Sequence, residues 1–250
     1  MRERETHSLI GATSWAITRR VLHPQAEGIE NFAISRRHLI EGGSVLIYAN
    51  DPLEKKSVPA TAIAVEDHLI SINHLVVFVS RRQVDSNLGL PNKAQHYFLM
   101  NKWAKSPGVT MIPIVQEKDR WRYPDWVEFN TAAEAEGKEL AKTSGNVIVI
   151  TPGGERTPKL QEAKIGFAAL FRDAKEIAMA MPIAVPYKAN KVIAGPPISW
   201  EDSLKDRERN PEMFLKDRLM ARLALITPEE ERGFYAEMAE KFVMPPTTAE

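Results

Sequence analysis

Apolar residues along the 250-residue chain come in short, nearly uninterrupted runs rather than in strict alternation. The runs are Ser44–Asn50 (SVLIYAN), His74–Ser80 (HLVVFVS), Val109–Val115 (VTMIPIV), Asn146–Thr151 (NVIVIT), Pro182–Tyr187 (PIAVPY) and Lys191–Ile198 (KVIAGPPI). Their length and β-branched content predict strands that are apolar on both faces, as a parallel sheet covered by helices requires. Helical stretches are predicted between them, near Pro59–Leu69, Lys93–Lys105, Thr131–Thr143 and Ala163–Lys175. Strands alternating with helices predict an α/β fold, a single domain with a largely parallel central sheet flanked by helices. Ahead of it, Ile10, Ser14, Ile17 and Val21 fall at helical spacing, so a short amphipathic helix is expected before Pro24. The expected organisation is that helix within residues 1–25, an α/β domain over 26–200, and a charged helical extension over 201–250 packed on it.

Composition narrows the classes. Hydrophobic residues make up 44% of the chain, enough to build a core, which excludes a disordered or collagen-like polymer. Lys plus Arg and Asp plus Glu are 33 each, and this balance argues against a protein built around nucleic acid. The absence of cysteine excludes disulfides, thiolate metal sites and a cysteine nucleophile. No run is apolar for long enough to span a bilayer, and the stretch Leu9–Ile17 is interrupted by Gly11, Thr13 and Ser14, unlike a secretory signal. A cytoplasmic protein, at most peripheral at a membrane, is expected.

The neutrality is uneven. Residues 81–122 hold eight basic against three acidic side chains, and residues 201–241 hold eight against eleven. A local basic stretch suits an anionic membrane surface. Trp103, Trp121 and Trp126 fall in or beside it, and core or capping positions are the expectation for them ahead of an interfacial surface.

Most catalytic signatures are missing. There is no Walker phosphate loop, no HExxH and no GxSxG elbow. The histidines at 7, 23, 38, 68, 74 and 96 show no metal-ligand spacing, so no metal is expected. Two strand-to-loop junctions carry the remaining chemistry. One strand runs directly into Asn50-Asp51-Pro52, and another into Pro152-Gly153-Gly154-Glu155-Arg156-Thr157-Pro158-Lys159. Polar groups at the carboxyl ends of parallel strands are where such sheets bind ligands. Gly153 and Gly154 let backbone N–H groups approach an anion, and Arg156 with Lys159 would neutralise a phosphate. A tight turn needing glycine torsions, with Arg156 solvated, accounts for the same residues.

Taken in order, these blocks resemble the glycerolipid acyltransferase family, which includes the lysophosphatidic acid acyltransferases. AEGIEN (Ala26–Asn31) is similar to the block that opens that domain, and Ala49-Asn50-Asp51 to the end of its first catalytic strand. VFVSRRQV puts Arg81 at a lysine position of the family, and Thr151–Thr157 matches its Phe-Pro-Glu-Gly-Thr-Arg-Ser block. Lys164-x-Gly166, MPIAVPY (Met181–Tyr187), AGPPI (Ala194–Ile198) and ALITPEEERGFY (Ala224–Tyr235) match later blocks, so the likeness covers about residues 26–235. It implies transfer of a fatty acyl group from acyl-CoA or acyl-carrier protein to a phosphate-bearing glycerolipid such as lysophosphatidic acid, beside a membrane and without a bound cofactor. Asp51 and Asn50 would stand at the reacting centre, while Arg81, Gly153, Gly154, Arg156, Lys159 and Lys164 would hold the substrate. The family's general-base histidine is replaced here by Asp51, its partner aspartate falls on Lys56 or Ser57, Gly153 stands where the family has glutamate, and Gln116 where it has arginine. His68 or His74 would have to fold into the site to restore a histidine. The alternative is an inactive member of the fold that binds phospholipid or acyl chains.

Overall fold

A computed structural model of the chain describes residues 20, 23–51, 57–69, 74–84, 108–153, 157–187 and 189–243. The expected N-terminal helix apart from residue 20, the expected helix over 93–105, and Trp103, Gly154 and Arg156 lie outside them. In chain order the elements are β1 (Gln25–Glu27), α1 (Ile29–Ile40), β2 (Ser44–Ala49), α2 (Ser57–His68), β3 (His74–Ser80), α3 (Arg81–Val84) and β4 (Val109–Ile114). A 3-10 turn (Glu117–Arg122), α4 (Trp126–Ala141), β5 (Asn146–Ile150), α5 (Gly166–Asp173), β6 (Ala178–Ala184) and β7 (Lys191–Ala194) follow. The chain continues through α6 (Trp200–Arg209), α7 (Leu215–Ile226), 3-10 turns at Glu229–Glu231 and Gly233–Tyr235, and α8 (Ala236–Lys241).

The strands form a seven-stranded sheet in the order β1-β7-β6-β2-β5-β3-β4. β6, β2, β5, β3 and β4 are parallel, whereas β7 runs antiparallel to β6 and carries β1 alongside it. The largely parallel α/β fold is as expected. All six residues of β2 are buried because both of its faces are covered. Val45 and Ile47 pack with Ala60, Ala64 and Val65 of α2 and Phe32 of α1, while Leu46 and Tyr48 pack with Phe167 and Phe171 of α5 and Leu219 and Leu223 of α7. The segment after residue 200 therefore supplies part of the larger core. A capping box starts it: the Ser199 hydroxyl accepts from the Asp202 N–H, and the Asp202 carboxylate accepts from the Ser199 N–H.

Two departures from the sequence reading have physical causes. No helix is expected over residues 29–40, because α1 buries Asn31 and Ser35 and leaves Ile29, Ile34 and Ile40 exposed. The Asn31 amide donates to the Ala194 carbonyl and the Ser35 hydroxyl to the Met181 sulfur, which adds to the narrow apolar contact of Phe32 and Leu39. Gly28 starts the helix at φ 72°, with the Ala194 carbonyl oxygen only 2.1 Å from where a Cβ would sit. The last expected strand is also shorter, ending at Ala194. Beyond it Gly195, Pro196 and Pro197 interrupt the ladder, and only an isolated antiparallel bridge from Ile198 to Ala180 remains.

Candidate functional site

β2 and β5 are neighbours in the sheet, yet their chains leave it in opposite directions. β2 continues through α2 to β3, and β5 continues through α5 to β6 on the far side of β2, with α2 and α5 on opposite faces. The two connections cross on opposite faces of the sheet, and the carboxyl ends of such strands are the usual place for a ligand in an α/β sheet. A pocket lies there. It is lined from β2 by Ala49, Asn50 and Asp51, from the segment after β5 by Thr151, Gly153, Thr157, Lys159, Leu160 and Gln161, and from α7 by Met220. Of the sequence-expected residues, Asn50, Asp51, Gly153 and Lys159 meet at this pocket.

Asn50 is 9% exposed and ties β2 to β6: its Nδ2 donates to the Val185 carbonyl at 3.0 Å, and its Oδ1 accepts from the Val185 N–H at 2.6 Å. Both ends of its amide help to fix the strand end, which positions the half-buried Asp51 beside it. The Asp51 carbonyl accepts from the Thr157 N–H at 3.1 Å, which draws the loop after β5 across the end of β2.

That loop is a closed excursion. The Lys164 N–H donates to the Pro152 carbonyl at 3.0 Å, bringing the two ends together in the manner of an Ω-loop. Inside it the Thr157 hydroxyl donates to the Lys159 carbonyl at 2.5 Å, and the Lys159 N–H and the Gln161 amide donate to the Thr157 oxygen at 3.0 and 3.2 Å. A clasp from the C-terminal segment holds its outer side. The Leu160 N–H donates to the Glu231 carbonyl and the Phe234 N–H to the Leu160 carbonyl, both at 2.9 Å. The Ala163 N–H donates to the Tyr235 hydroxyl at 3.0 Å, and that hydroxyl donates to Asp217 at 3.2 Å. Burial pushes the ionisation of Tyr235 up, so it stays a neutral hydroxyl and can donate. The clasp needs Gly233, which sits at φ 53° with the Leu160 carbonyl oxygen 2.4 Å from a would-be Cβ.

The other expected residues stand apart from the pocket lining. Arg81 makes a two-oxygen contact with Asp125 at 3.1 and 3.0 Å, and its guanidinium lies 4.5 Å from the Tyr123 ring centroid and 4.0 Å from that of Phe129. Lys164 Nζ is 2.9 Å from the Glu117 carboxylate. Hydrogen bonding from Lys164, then the charges of Lys164 and Arg120, hold that carboxyl below its usual range. His74 opens β3 beside Asn146, at the sheet edge opposite Asp51, and its Nε2 meets the Thr110 hydroxyl. His38 meets the Ile177 carbonyl, ahead of β6 at the same far edge, and His68 packs on Phe32 with ring centroids 5.1 Å apart. His23 leads into β1, three strands from β2. His7 and His96 lie outside the described residues.

Trp121 corrects the expectation of a core or capping residue. It is 74% exposed, because the 3-10 turn that bears it buries Asp119 instead. Sequence reasoning also missed Met220, Tyr235 and Glu231. The segment containing Glu231 and Tyr235 was legible as a block of the resemblance, but its grip on the pocket loop was not. Met220 sits in a helix whose apolar positions give no sign of which one reaches a site. Among the described residues no helix is long and apolar enough to cross a membrane, and no group of three or more metal-ligating side chains gathers. In comparisons with known proteins, the chain matches no protein-family model and no curated protein.

Proposed function

We propose that the chain is an acyltransferase of the glycerolipid type, which moves a fatty acyl group from acyl-CoA or acyl-carrier protein to a phosphate-bearing glycerolipid such as lysophosphatidic acid. The observation that carries this reading is the presence of a carboxylate, Asp51, and a cation, Lys159, in the lining of one pocket at the carboxyl ends of β2 and β5. An acyl transfer to such an acceptor needs a proton acceptor beside the attacking hydroxyl and positive charge beside the acceptor's phosphate. In the proposed reaction the acceptor hydroxyl oxygen bonds to the thioester carbonyl carbon, and Asp51 takes its proton. The carbon–sulfur bond breaks as the tetrahedral intermediate collapses, and the thiolate leaves and regains the proton. Lys159 meets the phosphate, together with Gly154 and Arg156 from the same loop as the resemblance implies.

The test is incubation of the purified protein with long-chain acyl-CoA and lysophosphatidic acid, following free thiol and the diacyl product. Turnover is expected, with Asp51→Ala lowering kcat by about 100- to 10,000-fold, the usual worth of a general base. Lys159→Ala should raise KM for lysophosphatidic acid and leave KM for an acceptor without phosphate unchanged. A second reading, lipid binding without chemistry, is favoured by the carboxylate standing where the resemblance expects histidine. Binding of lysophosphatidic acid with no turnover at any neutral pH would replace the first reading with the second.

A further inference from the structure

A closed circuit of hydrogen bonds starts and ends at the carboxyl end of β2. It begins at Asn50, whose side chain takes both backbone groups of Val185, just past β6. Pro186 has no N–H, so the next donor on that segment is the Tyr187 N–H. It donates to both carboxylate oxygens of Glu231, at 3.0 and 3.1 Å. The Glu231 carbonyl in turn accepts from the Leu160 N–H of the pocket loop at 2.9 Å. From there the Lys159 N–H bonds to the Thr157 hydroxyl oxygen, and the Thr157 N–H returns to the Asp51 carbonyl beside Asn50. Asn50, Asp51, Thr157, Lys159 and Leu160 all line the pocket.

Most links of this circuit are main-chain groups, which almost any residue supplies. Side chains enter it at Asn50, Thr157 and Glu231. Of these, only Glu231 stands outside the pocket lining. It is the last of three consecutive glutamates after Pro228, and the first two are exposed whereas Glu231 is 8% exposed. A carboxylate is costly to bury without hydrogen bonds, and the Tyr187 N–H supplies one. Glu231 thus holds the end of β6 with its side chain and the loop bearing Lys159 with its main chain. Its influence on a group bound in the pocket passes through Leu160 and Lys159.

We infer that Glu231 is a positioning residue of the site, setting where Lys159 stands relative to Asp51 by joining the pocket loop to the end of β6. The inference rests on the proposed role of Lys159 in meeting the acceptor's phosphate. Calorimetric titration of the full chain with glycerol 3-phosphate tests it without turnover, and kinetics with lysophosphatidic acid test it with turnover. Glu231→Ala should weaken glycerol 3-phosphate binding about ten-fold or more, the usual contribution of a hydrogen bond to a charged group. It should raise KM for lysophosphatidic acid by a similar factor and leave KM for an acceptor without phosphate unchanged. In a Lys159→Ala background it should add little to either loss, because both changes act through one cation. Glu231→Gln keeps the length and an acceptor oxygen for the Tyr187 N–H, whereas Glu231→Asp keeps the charge and falls short by a methylene. Binding should therefore be stronger in Glu231→Gln than in Glu231→Asp.

A folded Glu231→Ala protein that binds glycerol 3-phosphate as the wild type does would overturn the inference. Full additivity with Lys159→Ala would also overturn it, since Glu231 would then act on the fold as a whole. If Glu231→Ala does not fold, the order of the other two variants decides, and stronger binding by Glu231→Asp would sink the idea. Absence of glycerol 3-phosphate binding by the wild type would do the same. Coupling between Glu231 and Lys159 in binding, with no turnover in the wild type, would keep the positioning role and remove the reaction. Turnover without that coupling would do the opposite.

Discussion

Arg222 and Asp206 face each other beneath the sheet, with Nε and a terminal guanidinium nitrogen 2.7 and 2.9 Å from the two carboxylate oxygens. Their side chains are 4% and 1% exposed, so this pair joins α6 to α7 inside the protein rather than on its surface. The Tyr48 hydroxyl, buried and without a hydrogen-bond partner among the described residues, lies within range of both charges. Burial pushes its ionisation up, so it contributes no charge of its own, while the buried Arg218 adds a second positive charge acting on Asp206.

Removing one partner is therefore far worse than removing both. Asp206→Ala should cost about 3–5 kcal/mol of unfolding free energy, because it strands a buried guanidinium. A paired Asp206→Leu/Arg222→Met change of similar volume should lose much less. Urea titration of both proteins would show it, and equal losses would count against mutual compensation between Asp206 and Arg222.

The clasp on the pocket loop makes a local prediction. Tyr235→Phe takes away the acceptor of the Ala163 N–H and should cost about 1–3 kcal/mol, the usual penalty for leaving a buried donor unsatisfied. Gly233→Ala should have a similar or larger effect through its left-handed torsion and the clash with Leu160. Hydrogen exchange is the informative measurement: amides over residues 157–164 should exchange faster in either variant, while those of β2 and β5 keep their rates. Uniform acceleration across the sheet would mean that the clasp supports the whole fold and not the loop.

Acid pH should act partly through Asp173. Hydrogen bonds from Arg172 and then Lys138 hold its carboxyl below the usual range. Its contribution is complete above the unfolded-state value of about 3.9 and is lost as the pH falls through the lower folded value. Asp173→Asn should therefore be less stable than the wild type near neutrality, and the two should converge as the pH falls through the lowered folded value. The side chains of Asp173 and Lys138 are 26% and 27% exposed, so the neutral-pH gap should stay below about 1 kcal/mol. Thermal unfolding across that range measures it.

The central strands were legible because burial on both faces leaves continuous apolar runs such as Val45–Ala49 and Val147–Ile150, a pattern that depends on no distant partner. α1 was not legible, since its fit depends on Asn31 meeting Ala194, a contact across 163 residues. The candidate site divides in the same way. Asn50, Asp51 and Gly153 stand at strand ends that the sequence displays, and Lys159 lies a few residues further on. Met220 and Tyr235 reach the site only through tertiary contacts. Arg81 shows the opposite limit: its position suggested a ligand, but Asp125, Tyr123 and Phe129, more than forty residues away, occupy it.

The separation of 72 residues between Ala163 and Tyr235 has a consequence for how the protein is made. Every strand among the described residues precedes residue 195. On the ribosome, the whole sheet is therefore synthesised before the segment that fastens the pocket loop. A chain interrupted between those points would hold the scaffold with its working edge unfastened. The site is finished only after the sheet that carries it, even though its first residue belongs to β2.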